Sequence, residues 1–278
     1  MKTLGFTKME GSGNDFVLIK ARSSQAPGPE FVRVLCDRKF GVGADGVLFL
    51  SSSKKADIRM RIFNADGTEA QMCGNGARCA ALWTAKMSAG STAKGLTLET
   101  QAGLIRAELK GDVVRLKMTD PKDIRLDLHV KACGRDYEAD YVDTGVPHAV
   151  IEVSSIEEAP VRLLGRAIRH HKIFSPAGTN VDFIQRLGDR SVLIRTYERG
   201  VEDETLACGT GSVAAAIISV LNHEGCGTKV RMKHRVPVKT RSGETLRVEF
   251  MLSKKKVFDV WLEGTARVVF EGKYPING

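Results

Sequence analysis

Cys73 and Cys208 are each followed by two glycines in the spacing Cys-Gly-x-Gly and then by a largely apolar, alanine-rich run: Cys73-Gly74-Asn75-Gly76-Ala77 and Cys208-Gly209-Thr210-Gly211-Ser212. A cysteine just before a helix aims its sulfur at unpaired backbone N–H groups and at the positive end of the helix dipole. This setting predicts a thiol pKa drawn down from about 8.5 toward neutrality. The glycines let a ligand approach the backbone, and the free N–H groups of the first turn can hold a carboxylate. A thiolate and a thiol on opposite sides of one carbon could remove a Cα proton and return another to the far face. That is the chemistry of epimerisation or racemisation. The bland alternative, two buried structural thiols, does not explain why glycines follow both sulfurs at matching positions.

The two motifs lie 135 residues apart, close to half of the 278-residue chain, and the match extends on either side. Arg61-Ile62-Phe63-Asn64 faces Arg195-Thr196-Tyr197-Glu198, Asp45 faces Asn180, and Gly13-Asn14-Asp15-Phe16 faces Gly145-Val146-Pro147-His148. Downstream, Thr100 to Gly103 faces Thr240 to Gly243. The chain therefore reads as a tandem duplication. The expected halves are residues 1–120, with the C-terminal segment 263–278 returning to them, and residues 121–262, with an active site between the two.

Each half reads as strand, amphipathic helix, hairpin, long helix and further strands. In the first half Phe16-Val17-Leu18-Ile19 is a compact apolar run suited to a buried strand. A helix opens near Pro29, shows Phe31, Val34 and Leu35 on one face, and is closed by Gly41. Pro160, Val161, Leu164 and Ile168 repeat that helix. Strands at residues 47–50 and 58–63 precede the Cys73 helix, and strands at 181–185 and 192–197 precede the Cys208 helix. The segment Ser212 to Leu221 is apolar almost all round, so it must be covered on every side. Alternating segments such as Thr245 to Phe250 and Val257 to Leu262 supply a curved sheet to cover it. The fold class expected is α+β: two pseudo-symmetric halves, each a mostly antiparallel curved sheet rolled around a central helix.

Composition narrows the remaining classes. Hydrophobic residues at 42% and charged residues at 27% exclude a disordered or fibrous chain. No apolar run approaches the ~18 residues of a membrane span, and the first residues lack an apolar leader, so the expected location is cytoplasmic, away from any membrane. The net charge of +9 is scattered, its one tight cluster Lys254-Lys255-Lys256 reads as a turn, and aromatics are only 6%, which argues against a nucleic-acid partner. Gly41-Val42-Gly43-Ala44-Asp45-Gly46 matches GxGxxG but follows a helix and opens a strand, the reverse of a dinucleotide fingerprint, and reads as a glycine-rich turn. None of the six cysteines forms a CxxC pair, and no histidine follows at metal-ligand spacing, so no metal site is expected. Cys36, Cys79, Cys133 and Cys226 lack the glycine setting and read as buried. His170 and His171, at a helix end, read as cap or surface residues.

The residues resemble those of a known family, the pyridoxal-independent diaminopimelate epimerases of lysine and cell-wall biosynthesis. The carriers are Gly11 to Phe16, Phe63 to Gly67, Gln71 to Cys79, Gly178 to Val181, and Tyr197 to Gly200 running on to Ala207 to Gly211, and the likeness spans essentially the whole chain. The resemblance implies cofactor-independent conversion of LL-diaminopimelate to the meso form, with Cys73 and Cys208 as the acid/base pair and neither metal nor pyridoxal. It places the reacting carboxylate on Gly74-Asn75 and Gly209-Thr210, and the far end of the substrate on Asn14, Asn64, Asn180 and Arg199. Arg199 can pair bidentately with a second carboxylate. Glu198 would accept the substrate ammonium or support the thiols, and His148 would help set their protonation. The partner implied is a small amino acid, with a homodimer as one possible assembly.

One departure bears on the substrate. Val146 stands where many members of that family carry Asn before the Pro-His pair, so the counterpart of Asn14 offers no side-chain hydrogen bond. Gly46 likewise offers no side chain where some relatives place Gln. A racemase for another amino acid on the same scaffold, and a dithiol redox or binding protein in which Cys73 and Cys208 form a reversible disulfide, are the alternative readings.

Overall fold

A computed structural model describes residues 2–21, 27–87, 95–188, 190–224, 231–254 and 256–276. It divides into two compact units, one of Met1–Leu116 with Gly264–Gly278, the other of Lys117–Glu263. In chain order the elements are β1 (Lys2–Gly11), β2 (Asn14–Lys20), α1 (Pro29–Cys36), β3 (Gly46–Ser51), β4 (Ile58–Asn64), β5 (Glu69–Ala70), α2 (Gly74–Met87), β6 (Leu96–Thr100), β7 (Gly103–Lys110) and β8 (Val113–Lys117). The second unit follows with β9 (Lys122–Ala132), β10 (Arg135–Asp143), β11 (Pro147–Glu152), α3 (Val161–Arg169), β12 (Asn180–Arg186), β13 (Val192–Glu198), β14 (Asp203–Thr205), α4 (Gly209–Glu224), β15 (Met232–Lys239), β16 (Thr245–Ser253) and β17 (Lys256–Thr265). The last strand, β18 (Arg267–Ile276), pairs antiparallel with β1.

The two sheets follow one plan. In the first, the strands run β18-β1-β2-β3-β4-β6-β7-β8, antiparallel except at β2/β3 and β4/β6. In the second they run β9-β10-β11-β12-β13-β15-β16-β17, antiparallel except at β11/β12 and β13/β15. Parallel neighbours need a long crossover, and the crossovers here contain α1, α2, α3 and α4 in turn. α2 packs on β1, β2, β3, β4, β6, β7 and β18, and α4 on β10, β11, β12, β13, β15 and β16, so each sheet is rolled around its long helix. The all-round apolar pattern of α4 explains this: Val213 to Ile218 are wholly buried. The fold is therefore α+β and duplicated.

α1 and α3 cover the other face of their sheets, α3 through Val161, Leu164 and Ile168 against Val181, Phe183 and Tyr197. α1 differs from expectation in two respects. Its buried face is Val32, Leu35 and Cys36, while Val34 is 43% exposed, so the apolar stripe is rotated from the Phe31/Val34/Leu35 set. It also ends at Cys36 rather than near Gly41, because the Asp37 carboxylate takes the N–H groups of Lys39 and Phe40 and turns the chain.

The ladders correct the internal alignment by one residue. Phe16 pairs with Gly46 as His148 pairs with Asn180, and Gly46 pairs with Asn64 in the next strand, so the counterpart of Asn180 is Gly46 and not Asp45.

Candidate active site

In the first unit, Cys73 is half-buried and immediately precedes α2, whose opening residues Gly74 and Asn75 stand at the free N–H end of the helix. Asn75 is fixed by Arg78, one turn on, whose Nη2 donates to Asn75 Oδ1 at 3.0 Å and to Ser12 Oγ at 2.5 Å, while its Nε donates to the Thr265 carbonyl at 3.2 Å. Arg78 is fully buried. It ties the helix start to the β1–β2 turn that carries Asn14, whose Oδ1 is buried with no hydrogen-bond partner among the described residues. Asn64, at the end of β4, is exposed and donates to Thr68 Oγ1 at 3.0 Å.

The β1–β2 turn is clamped from a second side. Asp15 accepts from Arg38 at 2.8 Å and pairs with Lys8 at 2.7 Å, and Arg38 also reaches Asp45 at 2.7 Å. Lys8, buried, donates as well to the Gly43 carbonyl. Burial alone would raise the Asp15 pKa, but the hydrogen bonds from Arg38 and Lys8 outweigh it and hold the carboxyl well below the usual range. Burial pushes Asp45 up instead.

In the second unit, Cys208 is buried before α4, with Thr210 Oγ1 at 3.4 Å from its sulfur. The thiol pKa is raised, first by burial and then by the negative charges of Glu198 and Asp182, against the lowering from Thr210 and the Gly211 N–H. This overturns the sequence expectation for Cys208: the helix end does lower the pKa, but desolvation and two nearby carboxylates outweigh it. Burial also raises the Glu198 carboxyl, opposed by Thr205 and by His148.

His148 and Asp182 are wholly buried, with Nδ1 at 2.7 Å from Asp182 Oδ2. Thr196 Oγ1 donates to Asp182 Oδ1 at 2.7 Å, and His148 Nε2 is buried with no partner among the described residues. Asn180 donates to the Pro147 carbonyl at 2.9 Å and accepts the Arg199 N–H at 2.8 Å, so it joins the start of β11 to the end of β13. The half-buried Arg199 guanidinium reaches the Ala177 carbonyl at 3.4 Å. Gly209 packs near Leu262, and the Thr210 carbonyl accepts from Thr144 Oγ1 at 3.2 Å.

The structure thus groups Cys73, Gly74, Asn75 and Asn14 around α2, and Cys208, Gly209, Thr210, His148, Glu198, Asn180 and Arg199 around α4. Sequence reasoning passed over Asp182, Thr196 and Arg78. An aspartate between Val181 and Phe183 in an otherwise apolar strand is the signal that could have found the first. Among the remaining cysteines, Cys36 and Cys79 are buried, Cys226 lies outside the described residues, and Cys133 is exposed. Cys133 corrects the expectation of burial: it occupies the exposed β9–β10 hairpin turn at φ 49°. His170 is exposed and His171 caps a short turn through Ile173 N–H, as cap and surface residues do.

The architecture is shared with solved structures of low identity. The Bacillus anthracis phenazine biosynthesis protein of the PhzF family matches at TM-score 0.74 and 18% identity, over 99% of this chain and 100% of that one. A hydroxyproline epimerase from Agrobacterium vitis, with bound trans-4-OH-L-proline, matches at TM-score 0.72 and 17% identity, over 99% and 91%. The fold is thus the duplicated α+β architecture that these structures share. Sequence comparison is narrower: the family model described as Diaminopimelate epimerase matches residues 6–124 and 140–258. Diaminopimelate epimerases of Aquifex aeolicus (40% identity, 96% of each chain) and of Archaeoglobus fulgidus (42%, over 99% of this chain and 97% of that one) align over nearly their full lengths. The chain belongs to the diaminopimelate epimerase family.

Proposed function

We propose that the chain epimerises LL-diaminopimelate to the meso form by exchanging a proton at one α-carbon, with Cys73 and Cys208 as the two acid/base groups. The carrying observation is the repeated Cys-Gly-x-Gly helix start within a family match to both halves. The N–H groups at Gly74-Asn75 and Gly209-Thr210 hold the reacting carboxylate, which spreads the negative charge left when the α-proton departs. Burial and the carboxylates of Glu198 and Asp182 keep Cys208 as a thiol, the state that gives a proton. In that direction the Cys73 sulfur takes the α-proton as a thiolate, the electron pair passes into the bound carboxylate, and Cys208 protonates the opposite face. Cys73 ends as thiol and Cys208 as thiolate, and the reverse reaction restores both.

His148 and Glu198 set the protonation of the sulfurs. Asn14, Asn64, Asn180 and Arg199 hold the distal amino-acid group, Arg199 by pairing with its carboxylate. The enzyme acts in the cytoplasm on a free amino acid. No helix among the described residues is long and apolar enough to cross a membrane.

Incubation with LL-diaminopimelate in deuterated water tests the reading. Deuterium should enter one α-carbon while the meso isomer accumulates, and proline, histidine and glutamate should exchange far more slowly. Absence of exchange with diaminopimelate would end it; faster exchange with another amino acid would move the substrate assignment.

A further inference from the structure

Gly76 and Gly211 occupy the same place, the third position of α2 and of α4, and each lies over buried side chains: Phe16, Leu48 and Ile62 under Gly76, and Asp182 under Gly211. A Cβ on Gly76 would meet Leu48, Ile62 and Phe16 at 2.9, 3.3 and 3.7 Å; a Cβ on Gly211 would meet Asp182 Oδ1 at 2.6 Å. The ladders make the trios equivalent. Leu48 pairs with Ile62 as Asp182 pairs with Thr196, and Phe16 and His148 hold the same register two residues earlier, against Gly46 and Asn180. One copy of the fold therefore fills this position with Phe16, Leu48 and Ile62, and the other with His148, Asp182 and Thr196, every one of them at most 4% exposed.

An apolar trio demonstrably satisfies the fold here, so packing does not call for the polar one. A buried ionisable pair in place of well-packed apolar groups is seldom a gain in stability. The hydrogen bonds show what the polar trio does. Thr196 Oγ1 donates to one oxygen of Asp182, and the other oxygen, at 2.7 Å, requires His148 Nδ1 to be the donor. The ring is then left with Nε2 as an acceptor that has no partner among the described residues. Glu198 and Cys208 are the other ionisable groups whose charges are felt in this cluster.

We infer that Asp182, held by Thr196, is a positioning residue that locks His148 in the Nδ1–H tautomer and presents Nε2 as the proton-accepting atom of the second unit. Asp182 touches no reacting atom: it positions His148 through the Nδ1 contact, and its charge also bears on the Cys208 thiol. The inference rests on the proposed function for its kinetic consequence, though not for the tautomer itself.

The test combines Asp182→Asn with nitrogen NMR of histidine-labelled protein. An asparagine amide can donate to Nδ1, which moves the ring proton to Nε2. The wild type should show His148 as the Nδ1–H tautomer. In Asp182→Asn the tautomer should invert, with kcat lower by at least about 100-fold and KM changed by less than about 3-fold. Asp182→Glu should recover part of kcat. The triple variant His148→Phe, Asp182→Leu, Thr196→Ile, which copies the first unit's trio, should fold with an unfolding temperature at or above that of the wild type and show no exchange. A folded Asp182→Asn with wild-type kcat, or a wild-type ring protonated at Nε2, overturns the inference. So does a triple variant that unfolds, since the trio would then be structural. Should Asp182→Asn fail to fold, the wild-type tautomer and the triple variant decide. A wild type without exchange would remove the two-thiol reading and leave the tautomer to decide the Asp182 contact.

Discussion

The Arg195 guanidinium meets the Glu204 carboxylate through two parallel bonds, Nε to Oε1 at 2.7 Å and Nη2 to Oε2 at 2.8 Å, and Arg61 repeats the pair with Glu69 at 2.6 Å in both bonds. The pair joins β13 to β14, the hairpin that leads from Glu198 to Cys208. Arg195 Nη1 also donates to the carbonyls of Ile156, Glu157 and Ala159. Arg195→Met should therefore cost about 2–4 kcal/mol, because it takes the guanidinium from a largely buried carboxylate and from the Glu157 carbonyl, while the carbonyls of Ile156 and Ala159 keep the N–H groups of Ala159 and Val161. Arg241, 3.9 Å from Glu204 and half exposed, is a weak substitute. Urea unfolding checks this, and the double variant Arg195→Met, Glu204→Leu should lose less than the sum of the single losses. Strict additivity would show that the pair carries no coupling.

The two helix-start glycines should respond unequally to alanine. At Gly76 the nearest atom is the terminal methyl of Leu48, which can rotate away, whereas at Gly211 it is a carboxylate oxygen fixed by Thr196. Gly211→Ala should be the more destabilising, by about 1–3 kcal/mol, through overpacking of a locked group. Thermal unfolding of both variants reads the difference; equal losses would mean that Asp182 moves freely.

The thiols divide by setting. Cys133 is exposed, while Cys36 and Cys79 are buried and burial pushes the Cys36 thiol up to about 11. Alkylation of the native protein near neutral pH, mapped by peptide, should label Cys133 and Cys73 well before Cys36 and Cys79. Cys133→Ser should leave turnover within about 2-fold, Cys79→Ala should cost about 1 kcal/mol of packing, and Cys73→Ala should nearly abolish exchange. Equal turnover in the Cys73 and Cys79 variants would refute the assignment of Cys73.

How much of this was legible in the sequence depended on whether the cause was local. The duplication, the strands around Val17 and Val47, and the enclosed α4 follow from repeated motifs and apolar runs, which need no knowledge of neighbours. The buried face of α1 was not legible, since Phe31/Val34/Leu35 and Val32/Leu35/Cys36 both satisfy helical spacing and only the sheet beneath selects one. Cys208 failed in the same way: the helix start is visible in sequence, but the carboxylates that oppose it arrive from β12 and β13. The one-residue slip between Asp45 and Gly46 was not legible, since only the ladder fixes the register.

Asp15 sets the response to acid. Its folded pKa is depressed, with burial outweighed by Arg38 and Lys8, so the stability it contributes is complete above the unfolded value of about 3.9 and is lost as pH falls toward the folded value. Asp45, raised by burial, acts in the opposite sense: it costs stability as pH climbs from its unfolded value through its folded one. The urea midpoint of the wild type should therefore fall between about pH 4 and pH 2, and Asp15→Asn should flatten that decline. The variant should also be less stable at neutral pH, because Lys8, 7% exposed, loses its carboxylate. An unchanged acid slope in Asp15→Asn would mean that other carboxylates carry the acid sensitivity and that the Arg38 clamp on the β1–β2 turn is not what holds Asp15 ionised.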